Sequence, residues 1–368
     1  MRSLLTLFAL STAIAAVVAL LGTAKGFTQS FADVYAAHSV DVVVSRQGTA
    51  DRLSSSVDQQ FVQRIDAIEG IEKAAGVLLE TMSLEEEGIY GIPSMGIAAG
   101  SWMMSEYEMV EQAGFQSDIN PSQSDGATKI LYLGANLAER LDTSAGSAVQ
   151  LFEEPYRVAG IFRSPSAWEN GSIIFPLKTL QSLTDRKEQV TYINVVLDRQ
   201  VNASPVESIV EQIEALDKRL LALPTADFVE TDTRMQIAQA MAWMTSIIAL
   251  VIGAIGTLNT MLTSVLERTT EIGILRAIGW PSRRIILMVF CESCGLAIVA
   301  GISGTLLAFC LLQLLSQAPA VRGILSPTLS LETITQGVSL AVGIGLLGAL
   351  LPALRAAKML PTEAFRQN

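Results

Sequence analysis

Few residues in this chain have the types and spacing that catalysis or metal binding requires. His38 is the only histidine, which argues against a Ser-His-Asp triad and against a multi-histidine metal site. Cys291 and Cys294 form a C-x-x-C pair, but this pair lies inside a long apolar stretch and has no second pair of ligands. Buried free cysteine behaves as a small hydrophobe, so we interpret both as packing residues. The sequence predicts neither a catalytic residue nor a metal site.

Two further patterns bear on ligand binding. Residues 118–126 faintly resemble a calcium loop, but the sixth position is not glycine and Lys129 stands where the bidentate glutamate would be needed. We therefore predict a turn-rich loop there. The sequence contains no G-x-x-x-x-G-K-[ST] motif, so we do not expect this chain to cradle the phosphates of ATP by that route. No cofactor is expected on this chain.

Composition and charge divide the chain into two parts. Half of the residues are apolar and the mean hydropathy is +0.42, which indicates a mixture of membrane and aqueous segments. Residues 26–236 contain 31 acidic and 15 basic residues, whereas the remainder contains 5 acidic and 10 basic residues. An aqueous part this acidic argues against nucleic acid as a partner, because a phosphate-binding surface must be basic.

Four apolar stretches predict membrane-spanning helices. They lie within residues 1–25 and at about 237–262, 285–315 and 334–351. We interpret the first as a retained span, with a cleaved signal peptide as the alternative. Arginine and lysine are concentrated in the segment 263–284 and in the tail 355–368, which predicts that these segments and both termini face the cytoplasm. Residues 26–236 would then lie outside.

Residues 26–236 are predicted to form an α+β domain between the first and second spans. Runs rich in β-branched and aromatic residues indicate strands at Val40–Val44, Lys129–Leu133, Ala148–Phe152, Tyr156–Phe162, Ser172–Phe175 and Thr191–Leu197. Helical spacing indicates helices at Phe61–Ile68, Ala135–Leu141, Leu177–Leu183 and Val206–Leu221. The stretches Gly88–Ser101 and Ser117–Gly126 are rich in Gly, Ser and Pro and are predicted loops. The predicted fold class is a membrane α-helical protein with four transmembrane helices and an extracytoplasmic α+β domain.

A short helix is predicted between the second and third spans, at residues 267–279. Ile272, Leu275 and Ile278 repeat at three-residue spacing and would share one face of this helix. A plain connector between two spans does not need an apolar ridge of its own. The ridge therefore indicates either a docking site for a partner or packing onto lipid headgroups, and the residues alone leave both interpretations open.

The ends of this helix are marked by residue type. Arg268 and Glu271 lie three residues apart near its start. Gly279 is expected to end it, because glycine readily adopts the left-handed conformation found after helix C-termini. The next helix is predicted to begin at Pro281 or Ser282 and to enter the membrane.

Three other features of the spans carry predictions. Glu292 is an intramembrane charge, and we expect it to pair with Arg283 or Arg284 at the cytoplasmic interface. Glycines recur along the second, third and fourth spans and predict close helix packing, either within the chain or in a dimer interface. Near the start of the second span, a methionine- and tryptophan-rich group indicates an adaptable apolar gate or an interfacial aromatic belt. This group consists of Met241, Trp243 and Met244.

Three stretches resemble the FtsX/MacB family of ABC-transporter permeases. Residues 252–279, IGAIGTLNTMLTSVLERTTEIGILRAIG, resemble the family signature through its second span and coupling helix. Residues 351–366, LPALRAAKMLPTEAFR, are similar to the family's terminal P-A-x-x-A-A-x-x-x-P-x-E-A-x-R pattern. Residues 129–197 resemble the MacB-type periplasmic core domain. Together these stretches extend the resemblance over essentially the whole chain.

The resemblance implies a permease subunit in the bacterial inner membrane that works with a separate cytoplasmic ABC ATPase. ATP and Mg²⁺ would be bound by that ATPase, and its motion would move the spans and the outer domain by mechanotransmission. The layout is similar to that of the split permeases LolC and LolE. Further implied partners are a second permease subunit, in a homo- or heterodimer, membrane lipids and a periplasmic adaptor protein.

The resemblance also implies which residues contact the ATPase. They are Glu267, Arg268, Glu271, Ile272, Leu275, Arg276 and Gly279. The expected function is export or extraction of an amphiphile, peptide or lipoprotein, and the alternative is a regulator, like FtsX itself, that signals to cell-wall hydrolases. Family members usually carry a dozen or more residues before the first span. Only three precede it here, so we expect that this N-terminal helix is absent or that the start has been assigned too late.

Overall fold

The chain folds into two compact units. The computed structural model describes residues 2–49, 54–85, 87–113, 129–152, 154–198, 205–316 and 331–358. The membrane unit contains the described residues up to Lys25, Ala238–Leu315 and the described residues from 331 onward, and the outer domain contains the described part of Gly26–Ile237. The predicted loop at Ser117–Gly126 and residues 359–368 of the predicted tail lie outside the described residues.

Helix α1 runs from Arg2 to Ala37 and contributes to both units. In the outer domain it is followed by strands β1 Val42–Arg46, β2 Val57–Asp58, β3 Ile71–Leu84, β4 Ile89–Ile97, β5 Glu108–Gln112, β6 Ile130–Gly134, β7 Ala148–Leu151, β8 Glu154–Arg163, β9 Ile173–Pro176, β10 Gln189–Val190, β11 Tyr192–Leu197 and β12 Leu220–Pro224. The helices of this domain are α2 Gln60–Asp66, α3 Trp102–Glu106, α4 Ala135–Arg140, α5 Ala167–Asn170, α6 Leu177–Leu183, α7 Val206–Leu216 and α8 Thr225–Glu230.

A ten-stranded mixed sheet forms the centre of the outer domain. Its order is β12-β1-β11-β3-β4-β9-β6-β8-β5, with β7 paired to β8, while β2 and β10 form a separate pair. Both faces are covered, because alternate residues of a strand point to opposite sides. Val42 and Val44 of β1 pack into one apolar cluster with α2, α6 and α7, whereas Val43 packs into a second with the end of α1, α3 and α8.

The six predicted strands of this domain are confirmed to within about two residues, but two other predictions are wrong. Gly88–Ser101 is not a loop, since it contains β4. The small residues reflect close packing: a Cβ added to Gly96 would lie 3.1 Å from the Leu180 side chain of α6. The helix predicted at Val206–Leu221 ends at Leu216 and is followed by β12.

The membrane unit is built from long apolar helices. After α1 they are α9 Thr233–Glu267, the short helix α10 Thr269–Ala277, α11 Ser282–Ser316 and α12 Leu331–Lys358. Four helices in the described part of the chain are long and apolar enough to cross a membrane, which confirms the predicted fold class. The helices extend past the predicted spans, because hydropathy marks only the apolar centre of a helix that continues into polar residues.

Small residues bring these helices together within the chain. A Cβ added to Gly304 of α11 would lie 2.6 Å from the carbonyl oxygen of Ser11 in α1, so only glycine fits at this crossing. The Ser11 and Ser303 hydroxyls are 2.7 Å apart. About three turns nearer the start of α11, the Ser293 hydroxyl donates a 2.7 Å hydrogen bond to the carbonyl of Gly345 in α12. For these two glycines the interpretation as intramolecular packing is confirmed.

Candidate coupling helix

Helix α10 is separated from α9 by a single break in the helical backbone. Arg268 occupies the N-cap position with φ −100° and ψ 19°, outside helical geometry. The hydroxyl of Thr269 donates to the carbonyl of Leu266 at 2.5 Å and so satisfies a carbonyl at the end of α9. Glu267, which was predicted to open the short helix, is the last residue of α9.

The C-terminus of α10 forms a Schellman motif. Gly279 has φ +99°, its N–H donates to the carbonyl of Arg276 at 3.1 Å, and the N–H of Trp280 donates to the carbonyl of Leu275 at 3.0 Å. Leu275 and Trp280 both pack against one apolar cluster, which adds the hydrophobic contact that commonly accompanies this motif. The prediction that Gly279 ends the helix in the left-handed conformation is confirmed.

The inner face of α10 packs onto three long helices. Ile272 is only 2% exposed and shares a cluster with side chains of α9, α11 and α12. These side chains are Val265, Ile285, Val289, Ala349, Ala353 and Ala356. The prediction that Ile272 contacts a partner is therefore corrected: its side chain is already buried within the chain. Half-buried Leu275 packs against the same cluster, and its predicted contact with the ATPase stays a prediction.

The outer face of α10 carries a different set of residues. Glu271 is exposed, as are Ile274 at 44% and Ile278 at 74%. The prediction that Ile278 shares the ridge of Ile272 and Leu275 is wrong, because the helix ends at Ala277 and the terminal turn leaves Ile278 at the surface. Sequence reasoning missed Ile274, although its four-residue spacing to Ile278 was a signal for a second apolar edge.

Arg276 stabilises the end of α10. One guanidinium nitrogen, Nη1, donates to the carbonyl of Trp280 at 3.1 Å, and the residue is half-buried. A cation at a helix C-terminus also interacts favourably with the helix dipole. This hydrogen bond ties the residue after Gly279 back to the last turn of α10.

Arg268 connects this segment to α11. Its Nη1 lies 3.2 and 3.3 Å from the two carboxylate oxygens of Glu292. The expected pairing of Glu292 with Arg283 or Arg284 is thus wrong. Residues eight or nine positions apart on one helix are separated by more than two turns, about 12 Å along the axis, whereas the end of α9 passes beside Glu292. The Arg284 guanidinium instead lies 5.9 Å from the Trp280 ring centre.

The predicted gate residues are all exposed on α9. Met241, Trp243 and Met244 are 60%, 48% and 62% exposed. Exposure fits either the gate or the aromatic belt, so both interpretations remain predictions.

Among the described residues no group of three or more His, Cys, Asp or Glu side chains could hold a metal ion. The exposed stripe on the outer face of α10 offers two apolar side chains and one negative charge to a docking partner. It consists of Glu271, Ile274 and Ile278.

This architecture defines a class of protein. It is a multi-pass membrane protein with a large α+β domain between its first two spans and a short helix between its second and third. Two family comparisons make the class specific. The family described as the MacB-like periplasmic core domain matches residues 3–213, and the family described as the FtsX-like permease C-terminal matches residues 243–361. The chain belongs to the MacB-like and FtsX-like family of ABC permeases.

Individual relatives agree with this assignment. The chain is similar to a macrolide export ATP-binding/permease protein MacB from Shewanella sp. strain ANA-3, with 25% identity over 394 residues that cover 100% of this chain and 58% of the relative. It is also similar to an uncharacterized ABC transporter permease from Methanocaldococcus jannaschii, with 26% identity and coverage of 63% of this chain and 59% of that protein. The chain therefore spans somewhat more than half the length of these relatives.

One solved structure is similar to part of the chain. It is the periplasmic region of MacB from Actinobacillus actinomycetemcomitans, with 14% identity, coverage of 53% of this chain and 94% of that one, and a TM-score of 0.38.

Proposed function

We propose that this chain is the permease subunit of an ABC transporter that uses a separate cytoplasmic ATPase to export or extract an amphiphile, a peptide or a lipoprotein. In this proposal α10 is the coupling helix. It faces the cytoplasm, as do both termini of the chain. The proposal assigns ATP and Mg²⁺ to the ATPase, and residues 1–368 contain no phosphate-binding loop of the G-x-x-x-x-G-K-[ST] type. A second permease subunit completes the assembly.

The observation that carries this proposal is the two-sided packing of α10. Ile272 is buried against α9, α11 and α12, while Ile274 of α10 and Ile278, just after its last residue, remain exposed. A helix that served only to join two spans would not need two apolar edges. A partner bound to the exposed edge of α10 would act on α9, α11 and α12 through the packing of the buried Ile272.

The orientation of α10 is supported by charge. Arg268, Arg276, Arg283 and Arg284 lie within or beside it, and basic residues accumulate on the cytoplasmic side of membrane proteins. A cysteine introduced at Thr270, which is exposed, tests this after the three native cysteines are replaced by serine. We expect a membrane-impermeant maleimide to label it only in inverted vesicles. Labelling in right-side-out cells would contradict the orientation.

The ATPase contact is tested by charge reversal at Glu271. The full chain is purified from its host in mild detergent, and the ABC ATPase that travels with it is identified by mass spectrometry. We expect Glu271→Arg to remove this ATPase and the ATP hydrolysis of the preparation, because the substitution places a repulsive or unpaired charge in the contact. The matched control is Glu211→Arg, the same change at an exposed position of α7 in the outer domain.

Three results would count against the proposal. The first is equal loss of ATPase from Glu271→Arg and from the Glu211→Arg control, which would remove the evidence for a specific contact at Glu271. The second is retention of full activity by Glu271→Arg, which would move the contact elsewhere. The third is ATP hydrolysis by the isolated chain.

A further inference from the structure

The only histidine of the chain is buried between two carboxylates of the outer domain. His38 follows directly after the last residue of α1 and is 2% exposed. Its Nδ1 lies 3.0 Å from Oε2 of Glu106 on α3, and its Nε2 lies 3.1 Å from Oε1 of Glu169 on α5. The ring therefore bridges two helices that lie far apart in sequence.

The hydrogen bonds around the ring define which protonation state fits. A neutral imidazole carries one N–H, so it can donate to only one of the two carboxylates. Glu169 also accepts a 2.6 Å hydrogen bond from the Tyr107 hydroxyl and another from Ser164, and Glu106 accepts one from Lys73 Nζ at 2.8 Å. These donors fit ionised carboxylates, and two ionised carboxylates require both ring nitrogens to carry a proton.

The electrostatics point the same way. Burial alone would lower the pKa of His38, but the hydrogen bonds and charges of Glu169 and Glu106 outweigh it, and the pKa is raised above its ordinary value of 6.5. The other titratable groups around the site are Lys73, Tyr107 and Tyr192. Burial and the charge of Glu169 raise the pKa of both tyrosines, so they stay neutral across the physiological range.

The bridge fastens the end of α1. Tyr35, in the last turn of α1, is 1% exposed and packs edge-on against Phe228 of α8. The backbone N–H of His38 donates a 3.2 Å hydrogen bond to the carbonyl of Tyr35. We propose that protonated His38 is an ionic lock that holds the C-terminal end of α1 to α3 and α5, and that the lock opens when the pH rises. This inference does not depend on the proposed transport function.

The sign of the pH dependence follows from linkage. Because the pKa of His38 is raised in the folded protein, its stabilisation is fully present below about 6.5, the ordinary histidine pKa. The stabilisation is lost as the pH rises through the folded-state pKa. The lock is therefore closed on the acidic side and opens on the alkaline side.

A single histidine makes the protonation state directly measurable. The full chain, labelled with ¹⁵N and ¹³C only in histidine, gives one imidazole signal by NMR in lipid nanodiscs. We expect a doubly protonated ring at pH 6.5 and a titration midpoint above that of free histidine. Glu106→Gln should lower this midpoint, whereas Glu108→Gln, the same change two residues away at an exposed position, should leave it unchanged.

Opening of the lock is measured by hydrogen exchange. Exchange of a peptide spanning residues 31–40 is divided, at each pH, by exchange of a peptide from α7, which cancels the intrinsic pH dependence. We expect this ratio to rise through the NMR midpoint in the wild type and to be high at every pH in His38→Gln. A neutral ring at pH 6.5, or an exchange ratio that stays flat across the NMR midpoint, would overturn the proposal. If His38→Gln does not fold, the NMR titration and the exchange ratio of the wild-type chain still decide the question.

Discussion

The opposite orientations of two isoleucines, two positions apart on α10, give a sharp test of how this helix works. Ile272 is 2% exposed and Ile274 is 44% exposed. Replacing either by alanine deletes the same three carbons. Their transfer from water is worth about 0.8 kcal/mol per methylene, so complete burial at Ile272 corresponds to about 2.4 kcal/mol. The cavity left behind adds to this, and buried Ile→Ala changes fall between about 2 and 5 kcal/mol.

The two substitutions should therefore separate stability from partner binding. We expect Ile272→Ala to lower the equilibrium constant for packing α10 onto its cluster by about 50-fold or more, since about 1.4 kcal/mol corresponds to a factor of ten. Ile274→Ala should change stability by about 0.5 kcal/mol or less, as surface substitutions usually do. Under the proposed function, Ile274→Ala should instead weaken binding of the ATPase, because Ile274 lies in the proposed contact.

Thermal unfolding in detergent, followed by tryptophan fluorescence, measures the first effect, because Trp280 packs on the same cluster as Ile272. Co-purification of the ATPase measures the second. Equal thermal stability of Ile272→Ala and Ile274→Ala would refute the assignment of an inner and an outer face. Unchanged ATPase binding by Ile274→Ala, with folding intact, would refute the outer face as the contact while leaving the packing argument in place.

Three other substitutions test single contacts by thermal unfolding of the purified chain. Arg268→Glu should destabilise the chain by up to about 1 kcal/mol, because both partners are partly exposed, and Glu292→Arg in the same chain should restore the pair; no recovery would mean that the pair is incidental. Gly279→Ala should cost about 1 kcal/mol, since alanine resists the positive φ of this turn, and a neutral result would contradict the turn geometry. Gly96→Val should destabilise the outer domain by about 1–3 kcal/mol by forcing Leu180 aside, whereas wild-type stability would show that α6 gives way freely.

The architecture could be predicted from sequence because its signals are local. Apolar runs of about 20 residues mark spans whatever surrounds them, and β-branched runs marked β8 and β11. The prediction failed where tertiary packing sets the composition. Gly96 and the buried Ser94 occupy a strand because helix α6 packs closely there, and a small-residue stretch of this kind has the local composition of a loop.

The ion pairs could not be predicted because their partners are distant in sequence. Glu106 and Glu169 lie 68 and 131 positions from His38, so no motif links them. Arg268 and Glu292 lie 24 positions apart on different helices, and the nearer arginines of α11 were a plausible but incorrect choice. In both cases the pairing depends on helix crossings that hydrophobic periodicity does not encode.

The faces of α10 were assigned wrongly for a reason specific to short helices. Within the seven residues 272–278, the apolar side chains fit both a three-residue repeat (Ile272, Leu275, Ile278) and a four-residue spacing (Ile274, Ile278). Periodicity therefore cannot decide which of the two apolar edges faces inward. The deciding factor is the terminal turn at Gly279, which closes the helix one residue before Ile278. The same turn brings Trp280 onto the inner cluster and fixes where α11 begins. In the proposed mechanism, a force applied to the outer edge of α10 therefore reaches α9, α11 and α12 together through the packing of Ile272.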